Sequence, residues 1–189
     1  MHWLCFRQGT LSFDDACNTT LDAVTVKASS NTECKQHLLS WQGRLGIKQP
    51  VRLAENSIAE LKSCFITHDS DCRPVLILGT GECNAPAYLL ACALEAANVK
   101  VKVQSTTRSP IHVGNDISLV CQFEDNYNDG IANYIYNLNP LDYKEIIVCH
   151  ETPLNDAVLV LCHAWQAISA RFFAPEHDNS RAVLNFLRP

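Results

Sequence analysis

Val75-Leu76-Ile77-Leu78-Gly79-Thr80-Gly81-Glu82, the apolar stretch Pro86 to Asn98, and the run Val99-Lys100-Val101-Lys102-Val103 decide the fold of this chain. The first is a short, wholly apolar run, the pattern of a strand buried on both faces. A glycine-bracketed turn follows. Pro86 suits the first turn of a helix, where a missing N–H costs nothing. Tyr88, Leu89, Leu90, Ala91, Cys92, Ala93 and Leu94 make that helix apolar nearly all round, so it is expected to be buried. Val99 then begins an alternating strand. A strand, a crossover helix and a strand give a parallel pair with a right-handed connection. A third buried-type strand reads from Tyr143 through Ile146, Ile147 and Val148 to Cys149. The reading is a three-layer, Rossmann-like α/β domain with a mainly parallel sheet.

Outward from this unit the signals thin. Leu21 to Lys27 alternates like a strand, with turn residues Ser29, Ser30 and Asn31 behind it. Residues 1–40 read as a strand-containing extension packed on a domain spanning 41–189. Residues 35–46 read as a short helix that ends in the Gly43 to Gly46 turn. Leu53, Ala54, Ile58, Leu61 and Phe65 fall at helical spacing between Val51 and Thr67. Residues 111–130 read as a polar connection, and Ile131 to Leu138 as a helix. Thr152 can cap a helix with Pro153 at its first position, and the spacing of Val158, Leu161, Cys162, Trp165 and Ile168 carries it to about Phe173. The tail from 174 holds one last short element.

The chain has 189 residues, of which 47% are hydrophobic and 19% charged, a balance that excludes global disorder. Its net charge of −5 argues against a broad electrostatic grip on nucleic acid, so no direct nucleic-acid partner is expected. No apolar run reaches the roughly 18 residues of a spanning helix, and Met1 to Arg7 does not read as a secretion signal. The ten cysteines show no Cys-x-x-Cys pair. Cys92, Cys149 and Cys162 sit in apolar runs, where a free thiol acts as a small hydrophobe. The expectation is a reduced, cytoplasmic protein without a membrane segment.

The three strands each end in polar residues, and in an open parallel sheet ligands bind just beyond those ends. Gly79, Thr80 and Gly81 can bring bare backbone N–H groups to an anion, or simply form a tight turn. G-x-G-x-x-G is not completed, because position 84 is Asn, and no Walker motif follows. Glu82 is a candidate general base, ribose-hydroxyl acceptor or metal ligand; equally, it is a favourable charge in a helix's first turn. Thr106, Thr107, Arg108 and Ser109 place three hydroxyls around a guanidinium suited to phosphate or carboxylate. Glu151 would face Glu82 across the crevice, and two acids there could hold Mg²⁺ with substrate oxygens or divide into an acid and a base. His150 reads equally as a core histidine. Cys83, at a helix start, is a weaker nucleophile candidate without a visible base. Asn126 to Gly130 reads as a turn whose polarity could make it a lid.

These residues resemble the TRSP domain family, whose signature stands here as Thr107-Arg108-Ser109-Pro110. Trp41-Gln42-Gly43-Arg44-Leu45-Gly46, the Leu76 to Glu82 stretch, Tyr127-Asn128-Asp129-Gly130 with Tyr136-Asn137, and Glu151-Thr152 resemble it too, in order, over about residues 41–155. The resemblance implies a shared site of Gly79, Gly81, Glu82, Thr106, Thr107, Arg108, Ser109 and Glu151, with Arg44 as a second cation. It also implies a setting: a position C-terminal to a phosphoribosyltransferase-like domain, in gene clusters associated with tellurite resistance and stress response. The expected ligand is a phosphorylated sugar or nucleotide-like metabolite. If the domain is an enzyme, transfer or hydrolysis at a phosphoribosyl centre is expected. The rival expectation is a sensor or scaffold that docks on a phosphoribosyltransferase partner.

Overall fold

The computed structural model describes residues 9–10, 12, 24–25, 52–53, 55–65, 71–81, 83–114, 116–127, 129–152, 156–173 and 181–187. The expected helix at 35–46 and most of the 1–40 extension lie outside them. Among the described residues there are two sheets. The larger holds β2 (Arg52–Leu53), β3 (Val75–Gly79), β4 (Val101–Ser105), β7 (Glu145–His150), β8 (Ile168–Phe173) and β9 (Arg181–Leu187), in the order β2-β9-β8-β7-β3-β4. Only the β8–β9 pair is antiparallel; every other neighbouring pair is parallel. The smaller sheet holds β1 (Val24–Thr25), β5 (Val120–Phe123) and β6 (Asn133–Tyr136).

Strand β3 lies between β7 and β4, the latter forming one edge of the sheet. Its side chains alternate between two cores, which is why its sequence is apolar without interruption. Val75 and Ile77 pack with Ile147 and Cys149 of β7 beneath α2 (Asn84–Glu95) and α1 (Glu55–Phe65). Leu76 and Leu78 pack with Ile146 and Val148 beneath α3 (Asp156–Trp165), against Phe123 and Ile135 of the small sheet. Each such side chain, fully buried, contributes about 1.5–3 kcal/mol. Helices on both faces of a parallel block make the domain three-layered, as the sequence predicts.

Local chemistry sets the boundaries. Pro86 stands in the first turn of α2, where its missing N–H leaves no hydrogen bond unmade. Asn98 stands just beyond that helix with φ of 63°, and Val99 N donates to Leu94 O at 3.1 Å, closing the turn that redirects the chain into β4. Gln166 does the same after α3, with φ of 52°.

Several expectations are corrected. Helix α2 is not buried all round: Leu90, Ala91 and Leu94 face the core, while Tyr88, Cys92 and Glu95 face solvent. Residues 120–123 and 133–136 are strands, where the sequence reads as connection and helix. Tyr134, Ile135 and Tyr136 alternate outward and inward, with Ile135 buried, and β-branched and aromatic residues favour that pleated surface. Helix α3 is described over Asp156–Trp165, the expected first position at Pro153 lying outside the described residues; it stops at Trp165, and the residues expected to prolong it form β8. Ile168, Ala170 and Phe172 pack into the core beneath α1 and α2, while Ala167 packs into the opposite core and the buried Ser169 meets His150; alternation between the two faces fits a strand and not a helix. The element expected in the tail is β9.

Candidate site at the carboxyl ends of three strands

Strands β3, β4 and β7 run in register and end side by side: Gly79 pairs with Ser105 on one side and with Cys149 on the other. The residues just beyond are therefore neighbours. Thr80 N donates to Cys149 O at 2.9 Å, and its buried hydroxyl donates to the same oxygen at 2.9 Å. Gly81 N donates to the Thr106 hydroxyl at 3.0 Å, and Thr106 N donates to Gly79 O at 2.9 Å. Both glycines are required. A side chain at Gly79 would press on the backbone O of Cys83 and on the Asn84 side chain. Gly81 has φ of 56°, and a β-carbon there would overlap the Tyr127 ring.

Arg108 sits behind this turn, partly buried. Its Nη2 donates to Asp129 Oδ2 at 2.9 Å and to Asp125 Oδ1 at 3.3 Å. Its guanidinium carbon lies 5.9 Å from the centre of the Tyr127 ring, a distance at which a cation is attracted to the ring face. Nε and Nη1 of Arg108 have no hydrogen-bond partner among the described residues. Asp125 is the buried anchor. Its Oδ2 accepts from Asp129 N at 2.6 Å, so it shapes the loop that carries Asp129. The Tyr127 hydroxyl donates to Glu151 Oε1 at 2.6 Å, and Asn126 Nδ2 donates to the Thr152 hydroxyl at 3.1 Å. The loop from Asp125 to Gly130 thus closes over the ends of all three strands.

Of the residues singled out by sequence, Gly79, Thr80, Gly81, Thr106 and Glu151 meet here, and Arg108 joins them through Tyr127. Thr107 and Ser109 turn toward the small sheet. Thr107 exchanges two backbone hydrogen bonds with Tyr134, and Ser109 O accepts from the Tyr136 hydroxyl at 3.1 Å. Glu82 and Arg44 lie outside the described residues. Asp125 was missed. No local pattern marks it, because its partner Arg108 is 17 positions away.

Two side chains at the strand ends have altered protonation. His150 is fully buried between Thr152 O at 2.9 Å and the Ser169 hydroxyl at 2.8 Å, and burial lowers its pKa to about 4. It is a neutral core histidine at pH 7. Burial, with Cys149 and Glu151 nearby, pushes the Cys83 thiol well above its usual range. A buried, protonated thiol is a poor nucleophile. Cys72, Cys83, Cys92, Cys121, Cys149 and Cys162 are all free thiols, and Cys92 is exposed rather than packed in the core.

Among the described residues no group of three His, Cys, Asp or Glu side chains could hold a metal ion. Glu151, the described half of the expected acid pair, is already engaged by Tyr127. The described residues do not by themselves make a Mg²⁺ centre. A separate cleft of about 940 Å³ opens at the opposite end of the sheet, lined by Arg73, Leu141, Lys144, Glu145, His163 and Trp165. Its volume is ample for a small molecule, but it lies at the amino ends of the strands, away from the glycine turn. Among the described residues no helix is long and apolar enough to cross a membrane.

The fold and this geometry define an α/β domain of doubly wound type, with a cluster of largely buried polar residues at the carboxyl ends of the parallel strands β4, β3 and β7. The family described as "TRSP domain C terminus to PRTase_2" matches residues 41–164, well over half of the sequence. The chain belongs to that family. No curated protein and no solved structure matches it.

Proposed function

We propose that the crevice binds a phosphorylated sugar or nucleotide-like metabolite, with Arg108 as the phosphate ligand. The observation that carries this reading is the state of Arg108. Two aspartates hold one of its nitrogens, Nη2, and so fix the guanidinium beside the glycine turn, while Nε and Nη1 remain available to an anion. A guanidinium held in place loses less freedom on binding than a mobile one. Arg44 and Glu82 belong to the reading through the family resemblance. Glu151 and Glu82 would act on ribose hydroxyls. Mg²⁺ remains in the reading only as a companion of the ligand's own phosphate oxygens. If chemistry follows binding, it is transfer or hydrolysis at a phosphoribosyl centre. The setting in tellurite resistance and stress response, and the cytoplasmic location, belong to the same proposal.

A second reading is favoured by the family's description, which places the domain C-terminal to a phosphoribosyltransferase-type domain. On this reading the domain docks on that partner as a sensor or scaffold without chemistry of its own.

A thermal-shift screen separates the two. Phosphoribosyl pyrophosphate, ribose phosphates and nucleotides are each tested with and without Mg²⁺. A ligand at 100 times its dissociation constant adds about 2.7 kcal/mol of stability. The first reading expects a shift that disappears in Arg108→Ala. A shift of equal size in that variant would refute the assignment of Arg108. No shift with any of these ligands would favour docking.

A further inference from the structure

Two carboxylates share one nitrogen of Arg108, and they are not equivalent. Asp125 lies 3.3 Å from Nη2 with 2% of its side chain exposed, whereas Asp129 lies at 2.9 Å with 30% exposed. Asp125 is held from more than one side. Its Oδ2 accepts from Asp129 N at 2.6 Å, and Asn133 Nδ2 reaches its Oδ1 at 3.5 Å. Taking the cation from so buried a carboxylate is costly, because water cannot replace it. The Asp129 carboxylate is in partial contact with water and stands beside the exposed Gly130, whose φ is 68°. Water can solvate it as soon as the side chain turns away. The backbone need not follow, since the hydrogen bond from Asp129 N to Asp125 holds the chain where it is.

We infer that Asp129 is an internal anion that occupies Arg108 in the free protein and yields it to the phosphate of the ligand, while Asp125 stays. The inference rests on the reading of Arg108 as the phosphate ligand and adds a device that regulates it. A phosphate on Nε and Nη1 brings a second oxyanion beside Asp129 on the same guanidinium. Like charges so placed repel, and the carboxylate in contact with water is the one that leaves. The exchange is charge for charge, one oxyanion for another, so the buried Asp125 is never left without its cation. The hydrogen bonds of Tyr127 to Glu151 and of Asn126 to Thr152 stay in place. One side chain, and no larger movement of the loop, then stands between the free and the liganded site.

An internal competitor weakens apparent affinity by the fraction of molecules in which it has let go. Asp129→Asn keeps the size of the side chain and removes its charge. The test is calorimetric titration of wild type, Asp129→Asn, Asp125→Asn and Arg108→Ala with ribose 5-phosphate at neutral pH. The expected result is binding tightened about fivefold in Asp129→Asn, the weight of one partly exposed ion pair. Asp125→Asn removes an equal charge from the anchor and should bind no tighter than wild type; Arg108→Ala should lose binding. If Asp125→Asn does not fold, carboxyl-carbon NMR of the wild-type protein takes its place. There the ligand should move the Asp129 carboxyl resonance to the position of a solvated aspartate and leave that of Asp125 nearly unchanged. A purely structural ion pair predicts the opposite sign, with Asp129→Asn binding equally or more weakly. That result, equal tightening in both aspartate variants, or an Asp129 carboxyl that does not respond would overturn the inference and leave the role of Arg108 standing. Undiminished binding by Arg108→Ala, or no binding by any form, would overturn both.

Discussion

Replacing Arg108 by alanine should destabilise the fold as well as remove a ligand contact, and the size of the effect can be worked from its surroundings. The substitution leaves Asp125 and Asp129 facing each other without their shared cation. Asp125 has only 2% of its side chain exposed, so water cannot take over; Arg108 itself is 31% exposed, so the pair is partly screened. Breaking a fully buried ion pair costs about 3–5 kcal/mol. Partial exposure of the arginine, and the hydrogen bond that Asp125 retains from Asp129 N, bring this to about 2 kcal/mol. For a chain of this size that lowers Tm by about 4–8 °C. Urea denaturation measures it directly, and Asp125→Asn supplies the cycle: in that background the cost of Arg108→Ala should fall by about 1 kcal/mol. A loss below about 0.5 kcal/mol in the wild-type background would refute the argument that Arg108 is fixed by buried charge. It would also mean that ligand effects of Arg108→Ala could be read without a stability correction.

Three further outcomes follow from the same geometry. Gly81→Ala forces a β-carbon into a left-handed backbone and into the Tyr127 ring, and should cost at least about 2 kcal/mol in urea denaturation; a neutral substitution would show that the loop over the crevice is not packed as described. His150 titrates near 4 when folded and near its usual 6.5 when unfolded, so the unfolded chain binds the extra proton. Its contribution, roughly 3 kcal/mol, is full above pH 6.5 and is lost as pH falls toward 4; stability measured from pH 7 to 4 in wild type and His150→Asn should show this slope in the first and lose it in the second. At neutral pH, iodoacetamide should modify the exposed Cys72 and Cys92 and spare Cys83, Cys149 and Cys162 until the protein is unfolded; rapid labelling of Cys83 in the native protein would restore it as a reactive thiol.

The central strands were legible because burial on both faces leaves one simple mark, an unbroken apolar run such as Val75 to Leu78 ended by glycine. The meeting of polar residues at the strand ends was legible for a related reason: parallel strands in register end side by side, so Thr106 beyond β4 and Glu151 beyond β7 come to neighbour the Gly79–Gly81 turn. What failed was periodicity in short segments. Residues 168–172 follow an apolar helix closely, and only Gln166, in the αL conformation, and Ala167 separate the two; a non-glycine stop gives no sequence warning. The strands 120–123 and 133–136 have four residues each, too few for alternation to outweigh a polar setting. Asp125 and Tyr127 were not marked as site residues because their meaning is tertiary. Each acquires its role from a partner 17 and 24 positions away, Arg108 and Glu151 respectively.

The central claim is that a phosphorylated ligand binds where β3, β4 and β7 end. Titration of a ¹⁵N-labelled sample with adenosine 5′-monophosphate, followed amide by amide, tests it most directly. The account predicts that the amides of Gly79, Gly81, Thr106, Arg108 and Glu151 shift together along one saturable curve, while Lys144 and Trp165 stay in place. Shifts confined to Lys144, His163 and Trp165 would put the ligand in the cleft at the amino ends and contradict the account.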